Sequence, residues 1–289
     1  MKRCIQCHAS HVAPDWLCPA CGFSPLRIDG LPAFAPESAI ATSGFRPEAF
    51  AELAGLETGN FWFQARNQLL VWALQRHFPS MQSFLEIGCG TGFVMEGVAK
   101  AYPDARIAGS EILSAGLPFA AQRIGPAELL QMDARQIPYQ GEFDVIGAFD
   151  VLEHIEEDED VLREIHRAVV PGGGGIFTVP QHQWLWSSTD EHACHVRRYH
   201  VGELKEKLER TGFRVELETS FVSLLLPMMF VSRWLRKEAP EEDANAELRL
   251  PAVLNRMFMA AMAVERGLIR GGVRFPVGGS GLVVAKKLG

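Results

Sequence analysis

No uncharged apolar run among the 289 residues approaches the roughly 20 that a membrane-spanning helix needs. The longest, 221–232, is interrupted by Pro227. The start of the chain lacks the layout of a secretory signal, because Cys4, Cys7, His8 and His11 break up its first apolar residues. Surplus positive charge is missing as well. Lys and Arg number 28 against 35 Asp and Glu, for a formal charge of −7 and a pI near 5.8, so no overall basic field draws in a nucleic-acid backbone. No internal repeat is visible. These absences point to a globular chain in the cytoplasm, and 47% hydrophobic residues allow one large domain with an appendage.

Six cysteines are present, four of them in two identical spacings, Cys4-x-x-Cys7 and Cys18-x-x-Cys21. Two such knuckles can surround one zinc ion tetrahedrally, leaving no open position, so the expected ion is structural. A redox pair or disulfides would be the other readings, and a reducing compartment argues against both. Cys89 and Cys194 read as free thiols. Residues 1–30 therefore form a zinc-ribbon-like module, and its balanced charges are unsuited to gripping phosphates. Residues 31–60 read as a linker and first helix, with Pro32, Pro36 and Pro47 marking the irregular part.

The main domain is expected over 61–289. Helical patterning over 48–78 contains Phe61-Trp62-Phe63 and Arg66, either packing onto the domain or forming a flap whose Arg66 pairs with an anionic group. From Ser83 the chain alternates strands (83–88, 105–110, 127–132, 143–149, 174–180, 213–220, 280–286) with helices near 92–101, 117–124, 157–169 and 201–211. Such alternation predicts a parallel sheet covered on both faces, with ligands at the carboxyl ends of the strands.

The stretch Phe84-Leu85-Glu86-Ile87-Gly88-Cys89-Gly90-Thr91-Gly92 organises this domain. Glycines at alternate positions let the backbone approach a ligand closely, but the spacing is not the G-x-G-x-x-G of dinucleotide folds. Glu86 suits a cationic ligand better than a pyrophosphate. Glu111 closes the second strand where an acid can accept ribose hydroxyls, and Asp133 ends the third where it can accept an adenine amino group. Together they describe adenosine carrying a positive, amino-acid-like tail.

On these residues the chain resembles class I S-adenosylmethionine-dependent methyltransferases, in particular small-molecule enzymes like the ubiquinone methyltransferases. Glu86–Gly92 matches the family's first motif, and Phe143-Asp144-Val145-Ile146-Gly147-Ala148-Phe149-Asp150-Val151-Leu152-Glu153-His154-Ile155 is similar to its fourth-strand motif. Val170-Pro171-Gly172-Gly173 looks like the turn before its fifth strand. The resemblance implies a Rossmann-like, doubly wound α/β sheet of seven strands, order 3-2-1-4-5-7-6, with the seventh antiparallel. It implies S-adenosyl-L-methionine as cofactor, held by Arg66, Glu86, Gly88, Cys89, Gly90, Gly92, Glu111, Ile112, Asp133, Ala134, Phe149 and Asp150.

Methyl transfer from a sulfonium needs alignment and water exclusion, and a base where the acceptor is a hydroxyl or amine. His154 is the candidate base; the bland alternative is a histidine that caps the following loop. Acidic 156–160 reads as a solvated helix start. The loop 181–199 is dense in aromatics, histidines and arginines, and loops of that kind usually bind ligands. Trp184, Trp186, Arg197 and Tyr199 are its candidate acceptor contacts, although its histidines and Asp190 also admit a metal site and the arginines a structural role. A helical insertion at 221–279, with Phe221–Phe230, Trp234, an acidic span at 238–247 and the apolar stripe 254–269, caps the substrate side, buries a dimer face, or touches a membrane peripherally.

The leading expectation is methyl transfer to a small-molecule acceptor, lipophilic or sugar-like. An rRNA methyltransferase with a zinc-binding module is the alternative, weakened by the acidic balance. A non-catalytic interaction protein built on the ribbon is the third.

Overall fold

A computed structural model describes residues 1–39, 48–125, 127–236 and 249–288, except the side chains of 48 and 232–236. The Trp234 side chain and the acidic span 238–247 thus fall outside what is described. Strands β1 (Lys2–Arg3) and β2 (Ser10–His11) pair antiparallel around the first cysteine knuckle. β3 (Leu26–Ile28) and β4 (Leu31–Ala33) form a hairpin turned at Asp29 and Gly30, both at positive φ. Residues 31–33, expected to open a linker, are therefore sheet.

The helical stretch expected over 48–78 is two helices, α1 (Glu48–Glu57) and α2 (Phe61–His77). Gly59 and Asn60 separate them, and the Asn60 side chain accepts the Trp62 N–H at 2.8 Å to cap α2. Next come β5 (Ser83–Ile87), α3 (Phe93–Ala101), β6 (Arg106–Glu111), α4 (Leu117–Ile124) and β7 (Glu128–Gln131). They are followed by β8 (Phe143–Phe149), α5 (Asp158–Ala168), β9 (Val169–Pro180), α6 (Ser188–His192) and α7 (Glu203–Arg210). β10 (Phe213–Phe221), α8 (Leu226–Arg236), α9 (Ala252–Arg270) and β11 (Ser280–Lys287) complete the chain.

The sheet has nine strands, not seven, in the order β10-β11-β9-β8-β5-β6-β7-β4-β3. Its seven strands from Ser83 onward follow the order expected, with β11 antiparallel to both neighbours. The two additional strands come from the N-terminal hairpin, where β4 pairs parallel to β7 through Ala33 and Gln131. Gln131 is fully buried and secures this edge. Its Nε2 donates to Ala35 O at 2.7 Å and Ile112 O at 2.9 Å, and its Oε1 accepts the Ala35 N–H at 3.1 Å. The turn expected at 170–173 is a bulge inside β9. Pairing with β8 jumps from Phe143–Val169 to Val145–Gly174, and Gly172 takes φ +79°.

Period-two alternation divides the core. Phe84, Val145, Ile176 and Leu282 face α2, α3, α4 and α9, whereas Leu85, Ile146, Phe177 and Val283 face α5 and α7. The insertion seats on α2. Asn255 Oδ1 accepts the Phe61 N–H at 2.8 Å, and the Phe61 and Phe258 rings meet edge-on at 5.2 Å. Buried Glu265 accepts the N–H groups of Val222, Ser223 and Leu224 at 2.6–2.8 Å, holding Val222 at the strained φ of +59°. The N-terminal module packs against the other face. Trp16 meets Phe34 at 4.8 Å and Tyr139 at 5.4 Å, and Arg3 N–H donates to Pro138 O.

Candidate active site

The loops after β5, β6, β7, β8 and β9 all emerge at the carboxyl edge of the sheet, where the expected site residues gather. Gly88 has φ +65°, and a Cβ there would lie 2.5 Å from Val151 Cγ2. Gly90 has φ +51° with only Phe50 of α1 near its vacant Cβ position, at 3.8 Å. Its backbone is bare to a ligand in a way no other residue allows.

Three carboxylates lie at this edge of the sheet, two raised by burial and one held low. Glu86 is buried, its Oε2 has no hydrogen-bond partner, and burial pushes its pKa well above the carboxylate range while Arg66 acts in the opposite direction. Glu111 is also raised by burial, although its Oε2 accepts the Gly90 N–H at 3.0 Å and its Oε1 the Leu113 N–H at 3.1 Å. Asp133 remains low, because hydrogen bonds from Arg135 outweigh its burial. The orphaned Glu86 oxygen is the fit test for the expected cofactor: an ammonium group would satisfy it, and a phosphate would be repelled.

Arg66 pairs with Asp150, and its guanidinium lies 4.2 Å over Trp62. Asp150 holds φ +57°, with its N–H donating to Thr178 O and its Oδ1 accepting from Thr178 Oγ1. Cys89, Ala134 and Phe149 are buried and Ile112 half-buried. Cys89 turns toward β6, its thiol raised by burial, and Phe149 packs over Gly147. Sequence reasoning missed Glu57. This buried carboxylate accepts from Thr91 Oγ1 at 2.7 Å and from Arg123 Nη2 at 2.6 Å, tying α1 to the glycine loop and α4. Its only sequence signal was an acid at a helix end.

His154 ends the short turn after β8 with its side chain exposed at the site, and its imidazole pKa lies below the ordinary value through desolvation and then the charge of His195. The two rings meet edge-on at 4.7 Å. His195 Nδ1 lies 2.8 Å from Asp190 Oδ1, and Asp190 also takes Arg198 Nε at 2.7 Å and Nη2 at 3.0 Å. Beneath them Glu153 is fully buried with both carboxylate oxygens unpartnered, its pKa raised by burial and then by Asp150. Ligating atoms of Glu153, His154 and His195 lie within 4.8 Å of one another, so the trio can share a proton or a cation.

Two expected acceptor contacts are corrected. Tyr199 is fully buried and its hydroxyl lies 2.6 Å from Asp158 Oδ2. Arg197 spans Glu156 and Asp158 at 3.0 and 2.8 Å. Both hold the loop to α5: the Tyr199 hydroxyl is committed to Asp158, and the two terminal nitrogens of Arg197 are committed to Glu156 and Asp158. Trp184 is 53% exposed, stacked on His182 and 5.9 Å from Phe230 of α8; Trp186 is half-buried.

The four N-terminal sulfurs converge as well. Cys4–Cys21 and Cys7–Cys18 are both 3.6 Å apart, and the sulfurs are unbonded. Zinc–sulfur bonds of about 2.3 Å at tetrahedral angles require sulfur separations near that value.

A methyltransferase-domain family model matches residues 85–177. A probable S-adenosylmethionine-dependent methyltransferase of Mycolicibacterium smegmatis is 27% identical over 190 residues, 65% of this chain and 70% of that protein. A ubiquinone biosynthesis O-methyltransferase of Pseudomonas aeruginosa is 33% identical over 110 residues, 35% of this chain and 46% of the relative, so the match spans about half of that enzyme's length. Among solved structures, phosphoethanolamine N-methyltransferase 2 of Haemonchus contortus with S-adenosyl-L-methionine aligns at TM-score 0.52 and 20% identity, over 77% of this chain and 53% of that one. The [4+2]-cyclase SpnF aligns at 0.53 and 22%, over 78% and 83%. These two likenesses concern the fold. The sheet and its carboxyl-edge glycine loop define a Rossmann-like α/β protein of the methyltransferase type. Residues 85–177 carry a methyltransferase domain, and with its relatives this match indicates a class I S-adenosylmethionine-dependent methyltransferase.

Proposed function

We propose that the chain methylates a small-molecule acceptor through a hydroxyl group, the acceptor having an apolar portion. The observation that carries this reading is the His154–His195 pair at the carboxyl edge of the sheet, with His195 fixed by Asp190. A lowered imidazole pKa keeps His154 neutral near pH 7, with a ring nitrogen open to a proton, although it is a weaker base than an ordinary imidazole. S-adenosyl-L-methionine supplies an activated methyl group. Glu86 would receive its ammonium, Glu111 its ribose hydroxyls and Asp133 its adenine amino group, while Gly88 and Gly90 admit the tail. His154 accepts the acceptor's proton. Asp190 orients His195, whose edge sets the His154 ring. Exposed Trp184 and the apolar residues of α8 beside it, Met228 and Phe230, offer a greasy approach. The O-methyltransferase names among the relatives favour oxygen as the acceptor atom in them.

In this proposal Cys4, Cys7, Cys18 and Cys21 hold a structural zinc ion as thiolates, and residues 1–30 act as a metal-stapled module on the catalytic domain. Among the described residues no helix is long and apolar enough to cross a membrane. Titration with S-adenosylhomocysteine, followed by labelled methyl transfer to a panel of phenolic and aliphatic alcohols, tests the reading. No methylation of any hydroxyl, with methylation of amine analogues, would reject the oxygen acceptor. Salt-sensitive RNA methylation would reject the small molecule.

A further inference from the structure

Outside the methyl-transfer site, α2, α3 and α9 bound a groove of about 470 Å³. No residue of the 86–92 loop lines it, nor do Glu111, Asp133 or His154. Gln68, Gln75 and Trp72 of α2 form one wall, and Arg266 and Arg270 of α9 stand one helical turn apart on another. The groove's one carboxylate, Glu96, is held by Lys100. Arg266 Nη1 is buried without a hydrogen-bond partner. Burial, and then the charge of Arg270, lowers the Arg266 pKa, and among the described residues no carboxylate pairs with either guanidinium.

We propose that this groove binds a phosphate-bearing small molecule, with Arg266 and Arg270 gripping the phosphate. Planar guanidinium forks match phosphate oxygens two at a time, and a dianion relieves both the orphaned donor and the like-charge repulsion. Trp72 offers a ring face to the organic part and the glutamines offer donors and acceptors to its polar groups. The volume lies within the range of small-molecule pockets. Asn67 connects the groove to the catalytic loop. It lines the groove, its Oδ1 is without a partner, and its Nδ2 donates at 2.9 Å to the carbonyl of Phe93, the residue after Gly92.

The test is calorimetric titration of phenyl phosphate into protein already saturated with S-adenosylhomocysteine, which removes the cofactor site from consideration. One site with a Kd of ~1 mM or tighter is expected, weakening as salt rises. The Arg266→Gln/Arg270→Gln double variant should bind about tenfold or more weakly while keeping its melting temperature and its affinity for S-adenosylhomocysteine. Should the double variant fold poorly, Arg270→Gln alone serves, because Arg270 is exposed. No binding to the native chain, or equal binding by a folded variant, overturns the proposal. Retention on phosphatidylglycerol vesicles but not phosphatidylcholine, with no affinity for phenyl phosphate, would make the groove a lipid-headgroup contact and overturn it too.

Discussion

His195 Nδ1 donates to Asp190 Oδ1 across 2.8 Å, and that contact decides which imidazole nitrogen turns toward Glu153, 3.9 Å from its Nε2. The same carboxylate takes two hydrogen bonds from Arg198, which is almost as buried as Asp190 itself. Asp190→Asn should therefore remove the charge that offsets a buried guanidinium and leave His195 free to flip. Losing one partner of a buried pair costs roughly 3–5 kcal/mol, so the melting temperature should fall by about 6 °C or more. Acid should act in the same way. Asp190 is held near about 2, below its ordinary value, by hydrogen bonds from His195 and the charge of Arg198, which outweigh its burial. A depressed carboxylate stabilises the fold above its unfolded pKa, and that contribution should disappear as pH falls from about 4 to 2. Denaturant melts across that window check it; a variant with an unchanged slope against pH would mean that Asp190 is not the group responsible.

His154→Ala should lower kcat by about 10²–10⁴-fold with the S-adenosylhomocysteine Kd unchanged, because the imidazole handles a proton and not the cofactor. The sign of the pH effect follows from the depressed imidazole. A base works when deprotonated, so activity should hold through pH 6.5 and fall only toward the lowered imidazole pKa of about 4. A kcat profile with its acid midpoint at 6.5 or above would contradict the lowered His154 imidazole. Equal losses in turnover and cofactor affinity would make His154 a structural residue.

Much of this site was legible because its chemistry lies in residues whose type is dictated by position. Gly88 and Gly90 have positive φ, Glu86 is a buried acid with an unpartnered oxygen, and Glu111 and Asp133 lie at or just past the ends of successive strands, where an open α/β sheet binds ligands. Tyr199 and Arg197 were not legible, since a loop has no period that tells inward from outward, and an aromatic beside two arginines reads the same either way. The N-terminal edge of the sheet was hidden for a different reason. β3 and β4 are three residues each, too short to show alternation, and Pro32 argues against an interior strand, yet β4 lies between β7 and β3 and meets β7 only through Ala33 and Gln131. The Gln131 amide that holds this edge is a single polar residue at a strand end, without any pattern.

Gly90→Arg should abolish cofactor binding. The position already has φ +51°, and a long side chain beside Phe50 would fill the approach to the loop. Glu86→Gln is the milder probe. It keeps the shape but replaces a charge-assisted contact to an ammonium, worth roughly 1.5–3 kcal/mol, so affinity should fall by about tenfold or more. Calorimetry with S-adenosylmethionine measures both. Retained affinity in Gly90→Arg would move the ligand away from the glycine loop, and an unchanged Kd in Glu86→Gln would leave the orphaned oxygen unexplained by the amino-acid tail.

Removal of metal should be felt far from the thiolates. The clustered Cys4, Cys7, Cys18 and Cys21 bracket the segment that carries Trp16, whose ring packs on Phe34 and Tyr139 in the core facing α5. The same N-terminal segment leads into β3 and β4, and β4 leans on Gln131 at the strand end next to Asp133. Elemental analysis should find about one zinc per chain. Cys18→Ser should remove it and lower the melting temperature, by roughly 2–4 °C for each kcal/mol of metal-linked stability. Because Gln131 also holds the Ile112 carbonyl, cofactor affinity should weaken along with stability. A zinc-free variant with native melting and native cofactor affinity would show that the module is a passenger on the catalytic domain. Protein purified without reductant and found zinc-free, with its cysteines paired, would replace the thiolate site by disulfides.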